Sequence, residues 1–179
     1  MKPIFSNTCK ITDYKPVYKL GNSYAICFNC VPLKAEKYQG KYAKYSKNIE
    51  HVSTDLVMYN YMVFDLMPSI TEIKAEYEEY VNSIVSTMIT NFYYDDKQFN
   101  LSKENQMNYK AAYDLAVQTN GANLPYKVKC KAGIKQQYLI FNDVNEFTSF
   151  YVAINKHINS CLERGWNMKD SIDYSVYVQ

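Results

Sequence analysis

The stretch that begins at Pro68 constrains the fold more than any other part of the chain. Ser69, followed three residues later by Glu72, has the pattern of a capping box, in which each side chain accepts a hydrogen bond from the other residue's backbone N–H. Apolar residues then recur at the spacing of one helix face: Ile73, Tyr77, Tyr80, Val81, Ile84, Val85, Met88 and Ile89. The pattern predicts a long amphipathic helix over about 70–91.

Two β-hairpins are predicted after this helix. The segment FYYDDKQFNL (92–101) has the pattern of a strand, a tight turn at Asp95-Asp96-Lys97 and a second strand, because Asp side chains hydrogen-bond the backbone of turns. The segment PYKVKCKAGIKQQYLIF (125–141) alternates on both sides of Ala132-Gly133. Alternation around a glycine turn is typical of a hairpin.

Two further helices are expected, one after each hairpin. Ser102 is a favourable N-cap residue for a helix over about 103–118. Asp143 with Glu146 forms a second capping box and starts a third helix. Gly165 is expected to end that helix, because glycine adopts the left-handed conformation that follows many helix C-termini.

The first third of the chain has β-forming patterns. Gly21-Asn22 separates two β-leaning stretches and predicts a hairpin. The segment Asp55–Met67 is rich in β-branched and aromatic residues and predicts a central strand. We therefore expect an α+β fold with a β-rich docking region, 1–67, followed by a module of three helices and two hairpins, 68–179.

Tyrosine is unusually frequent, with 19 residues in a chain of 179, against eight Phe and one Trp. Tyrosine buries a large ring and keeps a hydroxyl group for hydrogen bonding, which suits surfaces shared between subunits. Compositional drift in an AT-rich genome is an equally good explanation of the tyrosine content.

The charge is segregated along the sequence. Residues 1–50 hold nine Lys against three acidic residues, and residues 51–100 hold two Lys against eight acidic residues. Such segregation favours oriented self-assembly or docking.

The segment KAEKYQGKYAKYSK (34–47) is the candidate interface because its Lys residues recur every three or four positions beside a stripe of Tyr. The same interleave fits nucleic acid, since Lys neutralises phosphates and Tyr stacks on bases. The segment has no Arg and the chain has a net charge of only +2, which favours a docking arm or a solvated basic face over nucleic-acid binding. The candidate residues are Lys34, Lys37, Tyr38, Lys41, Tyr42, Lys44 and Tyr45.

Cys27 and Cys30 have the C-x-x-C spacing of metal clips and redox dithiols. Cys9 and His51 stand alone, 18 and 21 residues away from the motif, whereas a zinc site needs a second close pair of ligands. The strand-like context also lacks the helix N-terminus that lowers the pKa of a redox thiol. We therefore expect buried, apolar cysteines, with no metal and no cofactor.

The remaining candidates for chemistry also have simpler interpretations. Asp95-Asp96 is interpreted as a turn, because no further Asp or Asn ligands follow at the spacing of a calcium loop. His51 and His157 accompany no nucleophile motif such as G-x-S-x-G, and His157 is expected to be a packed or surface residue of the third helix. The sequence thus predicts a protein that is not an enzyme.

The cysteine count and the hydropathy pattern bear on the compartment. Five scattered Cys and the polar sequence after Met1-Lys2-Pro3 predict a reduced protein made in the cytosol, without a secretory signal. No apolar run approaches the roughly 20 residues of a membrane-spanning helix. We therefore expect no membrane partner.

Four segments after about Glu72 together resemble a known family. They are TNFYYDDKQFNLS, the helix pattern ENQMNYKAAYDLA with its Gln106, QQYLIFND, and VNEFTSFYVAINKHINSCLERGW. In this order they are similar to an uncharacterised α+β module of tailed-bacteriophage virion proteins, often at or near the C-terminal end of tail-fibre or tail-associated proteins. Residues 1–66 do not match that module, and their excess of Lys, Asn and Tyr resembles proteins of crAss-like phages or prophages of gut Bacteroidales.

The resemblance implies a structural role and no activity. The expected function is a multi-copy virion structural protein of the tail, neck or fibre-attachment apparatus, assembled in the cytoplasm of a bacterial host. Its expected partners are other virion proteins and copies of itself. A head-fibre or capsid-decorating protein is the alternative within this class, and a phage nucleic-acid-binding protein using 34–47 is the alternative from another class.

Overall fold

A computed structural model describes residues 1–32 and 55–178 of the chain. These residues form three α-helices and eight strands in two antiparallel sheets, which confirms the predicted α+β class. They group into two compact units, Met1–Glu79 with Ser171–Gln179, and Tyr80–Asp170. The boundary between 67 and 68 stays a prediction, and the candidate interface at 34–47 lies outside the described residues.

The first unit contains a four-stranded sheet in the order β1-β4-β3-β2. Its strands are β1 (Phe5–Lys10), β2 (Val17–Leu20), β3 (Ser23–Pro32) and β4 (Leu56–Phe64). Gly21 has a φ of +61° in the turn between β2 and β3, a conformation that glycine adopts without steric cost. The hairpin at Gly21-Asn22 and the central position of the strand in 55–67 are both confirmed.

Helix α1 (Ile70–Thr90) begins with the predicted capping box. The Ser69 backbone N–H donates to Glu72 Oε2 at 2.8 Å, and the Glu72 backbone N–H donates to Ser69 Oγ at 3.3 Å. In the first unit, Tyr77 of this helix is buried and packs edge-on against Phe28, with ring centroids 5.2 Å apart. The helix therefore covers part of the sheet through its predicted apolar face.

The second unit contains a four-stranded meander in the order β5-β6-β7-β8. The strands are β5 (Asn91–Tyr94), β6 (Lys97–Asn100), β7 (Tyr126–Ala132) and β8 (Lys135–Phe141), and the helices are α2 (Lys103–Gln118) and α3 (Val144–Asp170). Alternate residues of each strand point to opposite faces. One face packs with α2 and α3 around a buried core, and the other face carries the exposed residues of the alternation. Both predicted hairpins and the Ser102-capped helix are confirmed.

The core of the second unit is aromatic and centres on Phe150 of α3. This side chain is fully buried. Its ring centroid lies between 4.9 and 6.5 Å from the centroids of six other rings, namely Phe92, Tyr94, Phe99, Tyr109, Phe141 and Phe147. Since these rings come from β5, β6, β8, α2 and α3, a single helix residue ties the sheet to both helices.

The predicted end of the third helix is wrong. Helix α3 continues through Gly165 to Asp170. A Cβ atom at Gly165 would overlap Cγ2 of Val85 in α1 and would lie 3.8 Å from Cγ1 of Val81. Gly165 therefore permits a close approach between α1 and α3 within the second unit and does not terminate a helix.

Candidate functional site

The acidic pair of the first hairpin forms a turn, as predicted. Asp95 and Asp96 both adopt positive φ, +50° and +56°, which is the backbone of a two-residue type I′ turn. Tyr94 pairs with Lys97 across this turn, so Lys97 belongs to strand β6 and not to the turn. The Lys97 ammonium group lies 2.6 Å from Asp95 Oδ2. This ion pair links the turn to the first residue of β6.

Other conspicuous polar residues of the second unit also make contacts within the fold. Ser102 Oγ accepts a hydrogen bond from the Asn105 backbone N–H at 3.3 Å, and Gln106 Nε2 donates to the Leu101 carbonyl at 2.7 Å. His157 Nε2 lies 3.0 Å from the carbonyl oxygen of Met88, and its side chain is partly buried. Of the two expected alternatives, a packed or a surface histidine, the structure shows the packed one.

The two cysteines of the C-x-x-C motif lie in different environments. Cys27 is fully buried, and desolvation raises the pKa of its thiol to about 12. Cys30 is exposed, so the expectation that it is buried is wrong. The pairing of β3 with β4 shifts between Phe28 and Val31, and Asn29 there has a φ of +52°; a bulge of this kind changes which side of the sheet a residue faces. No three His, Cys, Asp or Glu side chains within 1–32 and 55–178 form a group that could hold a metal ion.

Cysteine labelling provides a direct test of these environments. Because buried structural cysteines are inert to reagents, we expect a neutral alkylating reagent at pH 8 to modify the exposed Cys30. The buried Cys27, and Cys130 in the second unit, should react only after unfolding. Peptide mass spectrometry of native and denatured protein gives the labelled fraction at each site. Fast labelling of Cys27 in the native state would contradict the buried position.

A group of chemically similar exposed side chains lies on the open face of the second sheet. Burial alternates along β7: Val128 and Cys130 are buried, and their sequence neighbours Lys127, Lys129 and Lys131 are exposed. The three lysines therefore share the face that the helices do not cover. Strand residues two apart are separated by about 7 Å, so their ammonium groups form a row along one strand.

Residues of the neighbouring strands extend this row into a surface, here called the lysine face. The register pairs Lys129 with Tyr138, Lys131 with Gln136 and Gln98, and Gln98 with Tyr93. The Lys127 ammonium group lies 5.3 Å from the centre of the Tyr138 ring, within the range of a cation–π contact. The lysine face consists of Asn91, Tyr93, Gln98, Asn100, Lys127, Lys129, Lys131, Gln136, Tyr138 and Ile140.

A cleft of about 520 Å³ opens where β6 and β7 diverge, since Gln98 and Lys131 are the one residue pair in the register between these strands. Phe99 and Tyr109, both buried members of the core, lie at its base. Its polar lining is contributed by the carboxamides of Asn91, Gln98, Asn100, Asn105 and Asn108 and by the three lysines of β7. None of the described residues that line the cleft is acidic, so it offers hydrogen-bonding groups and positive charge to a ligand.

The lysine face was not among the sequence predictions. The segment KVKCK was recognised as part of an alternating strand, and this alternation already places its lysines on one side. The contributions of β5, β6 and β8 depend on strand order and register, which pair residues far apart in sequence. The surface could have been found only in part from the local pattern.

No protein-family model, curated protein or solved structure matches the chain. The similarity to the phage virion module therefore remains a resemblance carried by the sequence pattern. In the described ranges 1–32 and 55–178, no helix is both long and apolar enough to cross a membrane.

Proposed function

We propose that this chain is a non-enzymatic virion structural protein, a multi-copy component of the tail, neck or fibre-attachment apparatus of a tailed phage. One observation about the second unit supports this most. Polar residues that the sequence pattern sets apart there, Asp95, Ser102, Gln106 and His157, all contact other groups of the same unit. They stabilise a rigid module, as expected of a structural building block.

The packing of the second unit supports the same role. A structural component transmits contacts between neighbours and benefits from a core that holds one conformation. The rings around Phe150 join strands of the sheet to α2 and α3 in such a core. The expected partners are copies of this chain and other virion proteins, and the candidate interface is the segment 34–47.

Self-association tests the proposal. We expect the purified chain to form an oligomer whose mass by light scattering is a multiple of 20.9 kDa. Reversing the charge of Lys37, Lys41 and Lys44 to Glu is expected to reduce the mass to that of a smaller species with unchanged circular dichroism, because oppositely charged segments orient the assembly.

The matched control for this experiment reverses the charge of three lysines on exposed helix positions, Lys103, Lys110 and Lys156. This control variant has the same change in net charge. If assembly depends on 34–47, the control should form an oligomer of the same mass as the unmodified chain. A monomer at all concentrations would contradict a self-assembling component. Equal dissociation of both triple variants would remove 34–47 from the proposal.

A further inference from the structure

We propose that the lysine face of the second unit binds single-stranded nucleic acid without sequence preference. This inference goes beyond the structural role proposed above, and it uses different residues from the candidate interface at 34–47. It rests on three properties of the lysine face: a row of positive charge, exposed aromatic rings on both sides of that row, and a cleft lined by carboxamides.

The row of charge favours a polymer with evenly repeated negative charges. Lys127, Lys129 and Lys131 follow one another on alternate residues of a single strand, and the lysine face contains no acidic residue to compensate them. The phosphodiester backbone of a nucleic acid presents one negative charge per nucleotide, and its neutralisation by Lys releases bound counterions. A chain of phosphates laid along β7 can therefore contact all three ammonium groups.

The aromatic rings favour unpaired bases over a duplex. Tyr93 on β5 is 65% exposed and Tyr138 on β8 is 54% exposed, so a ring stands on each side of the lysine row. Bases of a single strand stack on such rings whatever their identity, because every base has a π-face. The bases of a duplex are already stacked on one another, so these tyrosines would gain nothing from it.

The cleft supplies contacts that a simple polyanion could not use. Its volume of about 520 Å³ falls within the range of small-molecule sites, and it has the aromatic residues Phe99 and Tyr109 at its base. Four of the five carboxamides hydrogen-bond within the unit: Asn91 with Thr87 and Gln98, Asn100 with Ser102, and Asn105 with the Asn100 carbonyl. A carboxamide has two N–H donors and an oxygen that accepts twice, so their remaining hydrogen-bonding capacity, together with Asn108, meets the edges of unpaired bases. The combination of amides with lysines favours a nucleic acid over an acidic protein segment, which would satisfy the lysines alone.

Binding is measured by fluorescence anisotropy with labelled DNA and RNA oligonucleotides of roughly 20 nucleotides, longer than the ~4–16 nucleotides that a small binding domain covers. Because three lysines contact phosphates, the logarithm of the association constant should fall with the logarithm of salt concentration with a slope of about −2. Duplex DNA and heparin of the same charge are the comparison ligands and should bind at least tenfold more weakly.

Two sets of variants separate the contributions of charge and of base stacking to the affinity. Replacing Lys127, Lys129 and Lys131 together with Gln should abolish the salt dependence and weaken binding at least tenfold, whereas the same change at Lys103, Lys110 and Lys156 should leave the slope unchanged. Tyr138→Ala should weaken binding roughly tenfold, whereas Tyr138→Phe, which keeps the ring, should not. Trp166→Ala, which removes an exposed ring of α3, is the control for loss of an aromatic side chain.

Three outcomes would overturn the proposal. They are the absence of binding at low salt, equal affinity for heparin or duplex and the single strand, and unchanged affinity in the β7 lysine variant. Equal affinity for heparin would identify the lysine face as a general polyanion site. All substituted residues are exposed, so unchanged circular dichroism and melting temperature confirm that a change in affinity reports on the surface and not on folding.

Discussion

Replacing Phe150 with alanine is expected to lower the free energy of unfolding of the second unit by about 3–5 kcal/mol. The side chain is fully buried, and six aromatic rings surround it. Removing it leaves a cavity that these rigid rings can fill only in part, so the lost burial and the cavity both contribute. A loss of this size is a large fraction of the stability of a typical domain.

The measurement is urea unfolding followed by the fluorescence of Trp166, which is the single Trp of the chain and lies in the second unit. Val152→Ala is the matched control, because this residue is on the same helix but is exposed, and it should change the free energy by less than about 0.5 kcal/mol. Phe150→Leu should fall between the two variants. Equal stability of Phe150→Ala and Val152→Ala would contradict the central position of this ring.

Local sequence patterns predicted most of the fold correctly because helices and hairpins are specified by neighbouring residues. The capping box at Ser69 and Glu72 and the N-cap at Ser102 identified where helices begin, and their hydrogen bonds are present. The turn at Asp95-Asp96 was predicted for the same reason, since the preference of Asp for turns acts over a few residues. These predictions required no knowledge of the tertiary structure.

The predictions that were wrong or missing depend on tertiary contacts. Cys30 is exposed because β3 is irregular beside β4, and a bulge leaves no clear mark in a run of β-forming residues. The lysine face requires β6 to lie beside β7, although helix α2 separates them along the chain. Periodicity identifies which residues of one strand share a face, but it does not identify the neighbouring strand.

Gly165 is a further residue whose role depends on a tertiary contact, and its substitution is expected to have a large effect on stability. Judged by helix propensity alone, Gly165→Ala should stabilise α3 by about 1 kcal/mol, because alanine is the better helix former. We expect the opposite, a loss of about 1–3 kcal/mol, because the added methyl group would overlap Val85 Cγ2 and overpacking a close contact costs this much. Val85 cannot rotate away easily, since a β-branched residue in a helix has one strongly preferred rotamer.

A second substitution on the facing helix separates steric overlap from helix propensity. In a Val85→Ala background the overlapping Cγ2 methyl group is absent, so Gly165→Ala should there become neutral or stabilising by up to about 1 kcal/mol. Ser160→Ala, at an exposed position of α3, reports the effect of alanine in that helix without a contact to α1. Urea unfolding of the four members of the cycle gives the coupling energy between Gly165 and Val85. A coupling near zero would mean that the overlap with Val85 costs no free energy and would contradict the prediction. A coupling of 1 kcal/mol or more would show that glycine is required for the close approach of α3 to α1.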